Sequence, residues 1–213
     1  MFQIAVLVSG SGSNLQALID NQQRYGYRIA VVLSNSADAY GLVRAQQAGI
    51  PTCIVNHKDY DGREAFEQAM IAALDAYSPN CVVLAGFMRI LTPVFINHYA
   101  GKMLNIHPSL LPKFKGLHTH ARAIEEKETE HGASVHFVTA ELDGGTVIAQ
   151  GRVPVLTDDT PELLAKRVLT VEHQLYPAVV AGLVKGIISL PPQVSIAGIP
   201  APIDCPLLLE KVA

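Results

Sequence analysis

Cysteine is scarce: the 213 residues hold three, Cys53, Cys81 and Cys205, far apart and without CxxC spacing. That pattern speaks against a disulfide framework or a zinc ribbon and suits a reducing compartment. No apolar stretch approaches the roughly 20 residues of a membrane span, and no basic segment precedes the short apolar run after Met1. Neither sign of charge dominates. The net charge is -3, with acids and bases interspersed, which offers nucleic acid no counterion-release footing. A small phosphorylated ligand needs only local positive charge. A cytoplasmic protein without membrane or nucleic-acid partners is expected.

What the chain has in quantity is apolar residues, 49% of the total, enough for one sizeable core. Ile4 to Val8, Ile29 to Leu33 and Cys81 to Ala85 are continuously apolar, as strands covered on both faces are. Between Gly62 and Tyr77, Phe66, Met70, Ala73 and Tyr77 recur at helical spacing. Thr160-Pro161-Glu162 supplies an N-cap oxygen and a proline at the first helical position, and Leu164, Val168, Val171 and Leu175 follow as a stripe. The alternation of strands and helices predicts an α/β fold: a Rossmann-like, mostly parallel sheet with helices on both faces. Ser134 to Val138 and Thr146 to Val153, joined around Asp143-Gly144-Gly145, predict an antiparallel edge hairpin with a tight, positive-φ turn. Pro108 and Pro112 exclude a helix and shape a loop that runs on to His118 and His120. Residues 1–186 form the expected domain, and 187–213 a C-terminal extension without periodicity.

Ser9-Gly10-Ser11-Gly12-Ser13-Asn14 lies between the first strand and a helical pattern. Its glycines permit a sharp turn, Ser13 or Asn14 is placed to cap the helix, and the free N–H groups there make an anion site. Leu15 stands where a dinucleotide fingerprint needs its third glycine, and Ser34-Asn35-Ser36 brings no acid for a ribose hydroxyl, so NAD is not expected. No GK[ST] follows, and no GxSxG elbow exists anywhere. Asn105 and His107, two apart at the end of a strand, share a face. A donor amide beside a proton-carrying imidazole suits a reaction that builds negative charge on a carbonyl oxygen, and Asp143 is available to hold the imidazole charged. His118 and His120 lack a third ligand at useful spacing, so no metal is expected.

Taken together, SGSGSNLQ, VVLAGFMRIL, NIHPSLLPKFKGLHTH, and HGASVHFV with ELDGG resemble the folate-dependent formyltransferases, over about residues 1 to 185. Within that family the likeness is to the branch of purine biosynthesis that formylates glycinamide ribonucleotide. The resemblance implies a formyltransferase fold and two small-molecule substrates, 10-formyltetrahydrofolate and glycinamide ribonucleotide, in a monomer or homodimer. By the same resemblance, the ribonucleotide amine attacks the formyl carbon through a tetrahedral oxyanion. Asn105 then donates to that oxygen, His107 gives a proton, and Asp143 partners His107. Gly12, Ser13 and Asn14 correspond to the ribonucleotide phosphate site, and Glu172 to a sugar contact. Arg63, Met88, Arg89, Ile90, Leu91, Asn105 and the turn Ala140, Glu141, Leu142 and Asp143 correspond to the folate site. Methionyl-tRNA formyltransferase and formyltetrahydrofolate hydrolase share the Asn, His and Asp set. The first normally carries a further C-terminal domain and the second an N-terminal one, which this chain is not expected to have. A non-catalytic nucleotide-binding module would need no proton donor.

Overall fold

The computed structural model describes residues 1–189 and the backbone of residues 203–204. Its strands are β1 (Phe2–Val8), β2 (Tyr27–Ser34), β3 (Thr52–Ile54), β4 (Cys81–Leu84), β5 (Met103–His107), β6 (Glu130–Phe137), β7 (Val147–Pro154) and the two-residue β8 (Ile203–Asp204). They form one sheet in the order β3-β2-β1-β4-β5-β6-β7-β8. β3 to β5 across β1 are parallel, β6 runs antiparallel to β5 and β7 antiparallel to β6, as expected for a parallel sheet with an edge hairpin. β8 pairs parallel to β7; residues 190–202 and 205–213 of the C-terminal extension lie outside the described residues.

The helices are α1 (Ser13–Tyr25), α2 (Tyr40–Gln47), α3 (Arg63–Asp75), α4 (Pro93–His98), α5 (Thr119–Glu125) and α6 (Pro161–Val184). Alternation along β1 serves both faces of the sheet. Ile4, Val6 and Val8 pack with α1 and α6 in one apolar cluster, while Ala5 and Leu7 pack with α3 and α4 in the other. The buried row of α3 is Phe66, Met70 and Leu74, and the expected Ala73 and Tyr77 lie at its margin. Thr160 caps α6 by accepting from the Leu163 N–H, as its sequence predicts. From Leu175 to Leu183 α6 is buried all round, and the Tyr176 hydroxyl donates to the Leu84 and Leu104 carbonyls, tying the helix to β4 and β5.

Two local expectations change. Neither Ser13 nor Asn14 caps α1: its N-cap is Gly12, in the left-handed region at φ 70°, with no side-chain cap hydrogen bond. No side chain thereby caps the N–H groups of the first turn. The β6–β7 connection is a longer loop, from Val138 to Thr146. Its positive φ, 48°, belongs to Asp143, whereas Gly145 is required by proximity, since a Cβ there would lie 1.8 Å from the Phe137 carbonyl oxygen.

β1 is the strand at which the winding reverses: β2 and β3 lie on one side of it, β4 and β5 on the other. In such sheets the crevice beyond the carboxyl ends of the two strands at the reversal is the natural ligand site. The loops after β1 and β4 both open there.

Candidate active site

A cavity of about 270 Å³ occupies that crevice, lined by Ser9 to Asn14 from the loop after β1 and by Ala85, Gly86 and Met88 from the loop after β4. Ser9 joins the two loops, accepting from the Met88 N–H at 2.9 Å and donating to Asn35 Oδ1 at 2.6 Å. Asn14 turns away from capping toward α6, where its Nδ2 donates to Glu172 Oε2 at 2.7 Å. Glu172 is buried, and burial pushes its carboxyl up against the opposing effect of the Asn14 donor. Asn14 Oδ1 is buried with no hydrogen-bond partner among the described residues, an acceptor suited to a ligand hydroxyl.

The second group of residues lies on the antiparallel half. Asn105 pairs across the sheet with His136, and His107 with Ser134. His107 is 6% exposed and is engaged at both ring nitrogens: Nε2 donates to the Phe114 carbonyl at 2.9 Å, and Nδ1 lies 3.4 Å from Asp143 Oδ2. A carbonyl only accepts, so Nε2 carries a proton committed to Phe114, and Nδ1 is the ring atom that faces Asp143. Asp143 Oδ2 also accepts from the Gly116 N–H at 2.9 Å, which ties the Pro-rich loop to the β6–β7 loop.

His136 is a site residue that sequence reasoning missed. Its Nδ1 donates to the Phe137 carbonyl at 2.9 Å, and Nε2 lies 3.2 Å from Asn105 Nδ2 and 3.7 Å from Asp143 Oδ1. Burial lowers its pKa, outweighing the Phe137 carbonyl and the Asp143 carboxylate, which favour the charged ring. Neutral, with its proton on Nδ1, His136 accepts one Asn105 N–H at Nε2 and leaves the other for the cleft. The sequence signal was period-2 alternation through Ser134 and His136, but only the strand register puts His136 opposite Asn105.

The residues matched to the folate site flank this cluster. Met88, Ile90 and Leu142 are large apolar side chains exposed beside the cleft, whereas Leu91 is buried. Arg63 Nη2 donates to the Ile90 carbonyl, and the Arg89 guanidinium sits 5.8 Å from the centre of the Phe66 ring, so both arginines brace the loop after β4. Glu141 is paired with Lys115 at 2.6 Å at the rim. Ala140 belongs to the same exposed turn. Of the two histidines weighed for metal, His120 Nδ1 meets His131 Nε2 at 3.2 Å, and no group of three metal-ligating side chains occurs among the described residues. No helix among the described residues is long and apolar enough to cross a membrane.

A glycine-rich loop at the strand reversal, with a half-buried amide and a buried imidazole–carboxylate pair beyond it, makes an α/β site suited to acid–base chemistry at a carbonyl. A family model described as formyl transferase matches residues 2–180, and the chain belongs to that family. Phosphoribosylglycinamide formyltransferase of Escherichia coli (strain K12) is 54% identical over 185 residues, 86% of this chain and 87% of that protein. The Haemophilus influenzae protein of the same name is 46% identical over 188 residues, 87% and 89% of the two chains. The solved phosphoribosylglycinamide formyltransferase of Coxiella burnetii superposes with a TM-score of 0.88 at 49% identity, covering 93% of this chain and 95% of that one.

Proposed function

We propose that this enzyme transfers the formyl group of 10-formyltetrahydrofolate to the amine of glycinamide ribonucleotide, with residues 1–186 as the working domain. The observation that carries the reading is Asp143 meeting His107 at 3.4 Å, with Asn105 on the same face of β5. As the amine attacks, the new C–N bond pushes charge onto the formyl oxygen. The unclaimed Asn105 N–H stabilises it, a contribution typically worth about 3 kcal/mol. His107 supplies positive charge and, as the C–N bond to the folate breaks, gives its Nδ1 proton through water held by Asp143 to the departing nitrogen. The proton lost by the attacking amine returns to Nδ1 through the same water, so the net transfer is from the amine to the folate nitrogen. No step requires a metal or a nicotinamide.

Gly12, Ser13 and Asn14 hold the ribonucleotide phosphate through the N–H groups at the start of α1. Glu172 and Asn14 Oδ1 take sugar hydroxyls. The exposed Met88, Ile90 and Leu142 enclose the folate ring, whose polar edge meets backbone groups of 88–91 and 140–143. Offering the purified chain 10-formyltetrahydrofolate with glycinamide ribonucleotide, charged initiator tRNA or water as acceptor tests this. Release of tetrahydrofolate with the ribonucleotide is expected; release only with tRNA or water overturns it.

A further inference from the structure

Two successive carbonyls of the phosphate loop are held from behind by one short helix. The Gly10 carbonyl accepts from the Gly41 N–H of α2 at 3.0 Å, and the Ser11 carbonyl accepts from Arg44 Nε, one turn further on, at 2.8 Å. Arg44 Nη1 then reaches Gln16 Oε1 on α1 at 3.1 Å, and its guanidinium carbon lies 5.0 Å from the centre of the Tyr40 ring. A trans peptide is planar, with its N–H directed opposite its C=O. Fixing the Gly10 and Ser11 carbonyls on α2 therefore turns the N–H groups of Ser11 and Gly12 away from α2. That is the side of the cavity, which Ser11 and Gly12 line and no residue of α2 does. Neither N–H has an acceptor among the described residues. Two adjacent N–H groups aimed one way form an anion nest.

The packing leaves no slack between loop and helix. A Cβ on Gly12 would lie 2.6 Å from the Gly41 Cα and 3.4 Å from Arg44 Cδ, and a Cβ on Gly41 would lie 3.1 Å from Val8 Cγ2. Arg44 also brings positive charge behind the loop. Its field reaches α6, where the His173 pKa is lowered chiefly by burial and secondly by this guanidinium.

We propose that Arg44 is a positioning residue for phosphate: it splints the Ser11–Gly12 peptide so that its N–H faces the ligand, and it adds a cation behind the nest. This deepens the reading of the loop as the ribonucleotide phosphate site and rests on it. The test compares glycinamide ribonucleotide with its dephosphorylated riboside by calorimetry, in the wild type, Arg44→Met and Arg44→Lys. The wild type is expected to favour the phosphorylated ligand, and Arg44→Met to shrink that ratio by about tenfold or more, the scale of one charge-assisted contact. The loss should fall on KM for the ribonucleotide more than on kcat, with folate affinity retained, and Arg44→Lys should recover part of it. Equal ratios in wild type and Arg44→Met overturn the role of Arg44. A wild type indifferent to the phosphate overturns instead the assignment of the loop. Should Arg44→Met fail to fold, protection of wild type and Arg44→Lys by inorganic phosphate in thermal melts decides. Weaker protection of Arg44→Lys upholds the splint, and equal protection overturns it.

Discussion

The two halves of the cleft are built on opposite principles. The proposed phosphate loop is six consecutive residues, Ser9 to Asn14, whose offer to a ligand is mainly backbone N–H groups, so its chemistry would follow from local conformation. The cluster beyond β5 is side-chain chemistry drawn from positions 105, 107, 136 and 143, with the Phe114 carbonyl as a fifth element. The first half is sensitive to shape and tolerant of functional groups. The second is the reverse.

That contrast breaks most visibly at Asp143. Asn tolerates the left-handed conformation that Asp143 occupies, so Asp143→Asn removes the charge and spares the backbone. Turnover is expected to fall at least ~100-fold with little change in ribonucleotide affinity. An unchanged rate in steady-state kinetics would remove Asp143 from the machinery.

At Gly12 the opposite holds: one methyl group, with no functional group lost, meets the Gly41 backbone at 2.6 Å from a residue at φ 70°. Gly12→Ala should cost roughly 1–3 kcal/mol of stability and weaken ribonucleotide binding about tenfold or more. Chemical denaturation and calorimetry check both, and normal ribonucleotide binding would show that the loop is not held as tightly as its contacts indicate.

The smallest expected effect is on pH. His131, 1% exposed beside His120, is lowered from 6.5 to about 4, first by burial and then by His120. The folded state holds it neutral while the unfolded chain takes up a proton from about pH 6.5 downward. Its contribution is therefore complete above pH 6.5 and is lost as pH falls toward 4. Burial also lowers His136 on β6 and His120 on α5, whose ring meets His131 of β6. Between pH 7 and pH 4.5 the melting temperature should drop by roughly 5 °C or more, less in His131→Gln. Hydrogen exchange should rise first around β5 and β6; a drop spread evenly over the parallel strands would remove the distinction.

Much of this was legible along the chain. Continuous apolar runs announce strands buried on both faces, and prolines at 108 and 112 announce a shaped loop. Asn105 and His107 share a face because a strand repeats every two residues. Less legible was what depends on register or on which neighbour takes a hydrogen bond. Asn14 reads as a helix cap yet bonds to Glu172, 158 residues away. Gly144 and Gly145 read as the positive-φ residues of a turn, but Asp143 takes that conformation and the glycines answer to close packing. The α3 stripe is displaced to include Leu74, because the contact face is chosen by the sheet it packs on.

By itself the sequence determined the α/β class, the glycine-rich turn after the first strand and the shared face of Asn105 and His107, all of which follow from spacing within one strand, helix or turn. Tertiary structure alone decided that Asp143 meets Nδ1 of His107 while Phe114 claims Nε2, that His136 meets the Asn105 amide, and that Arg44 bonds the Ser11 carbonyl. These depend on contacts between distant segments, and local conformational preference carries no information about which distant partner arrives.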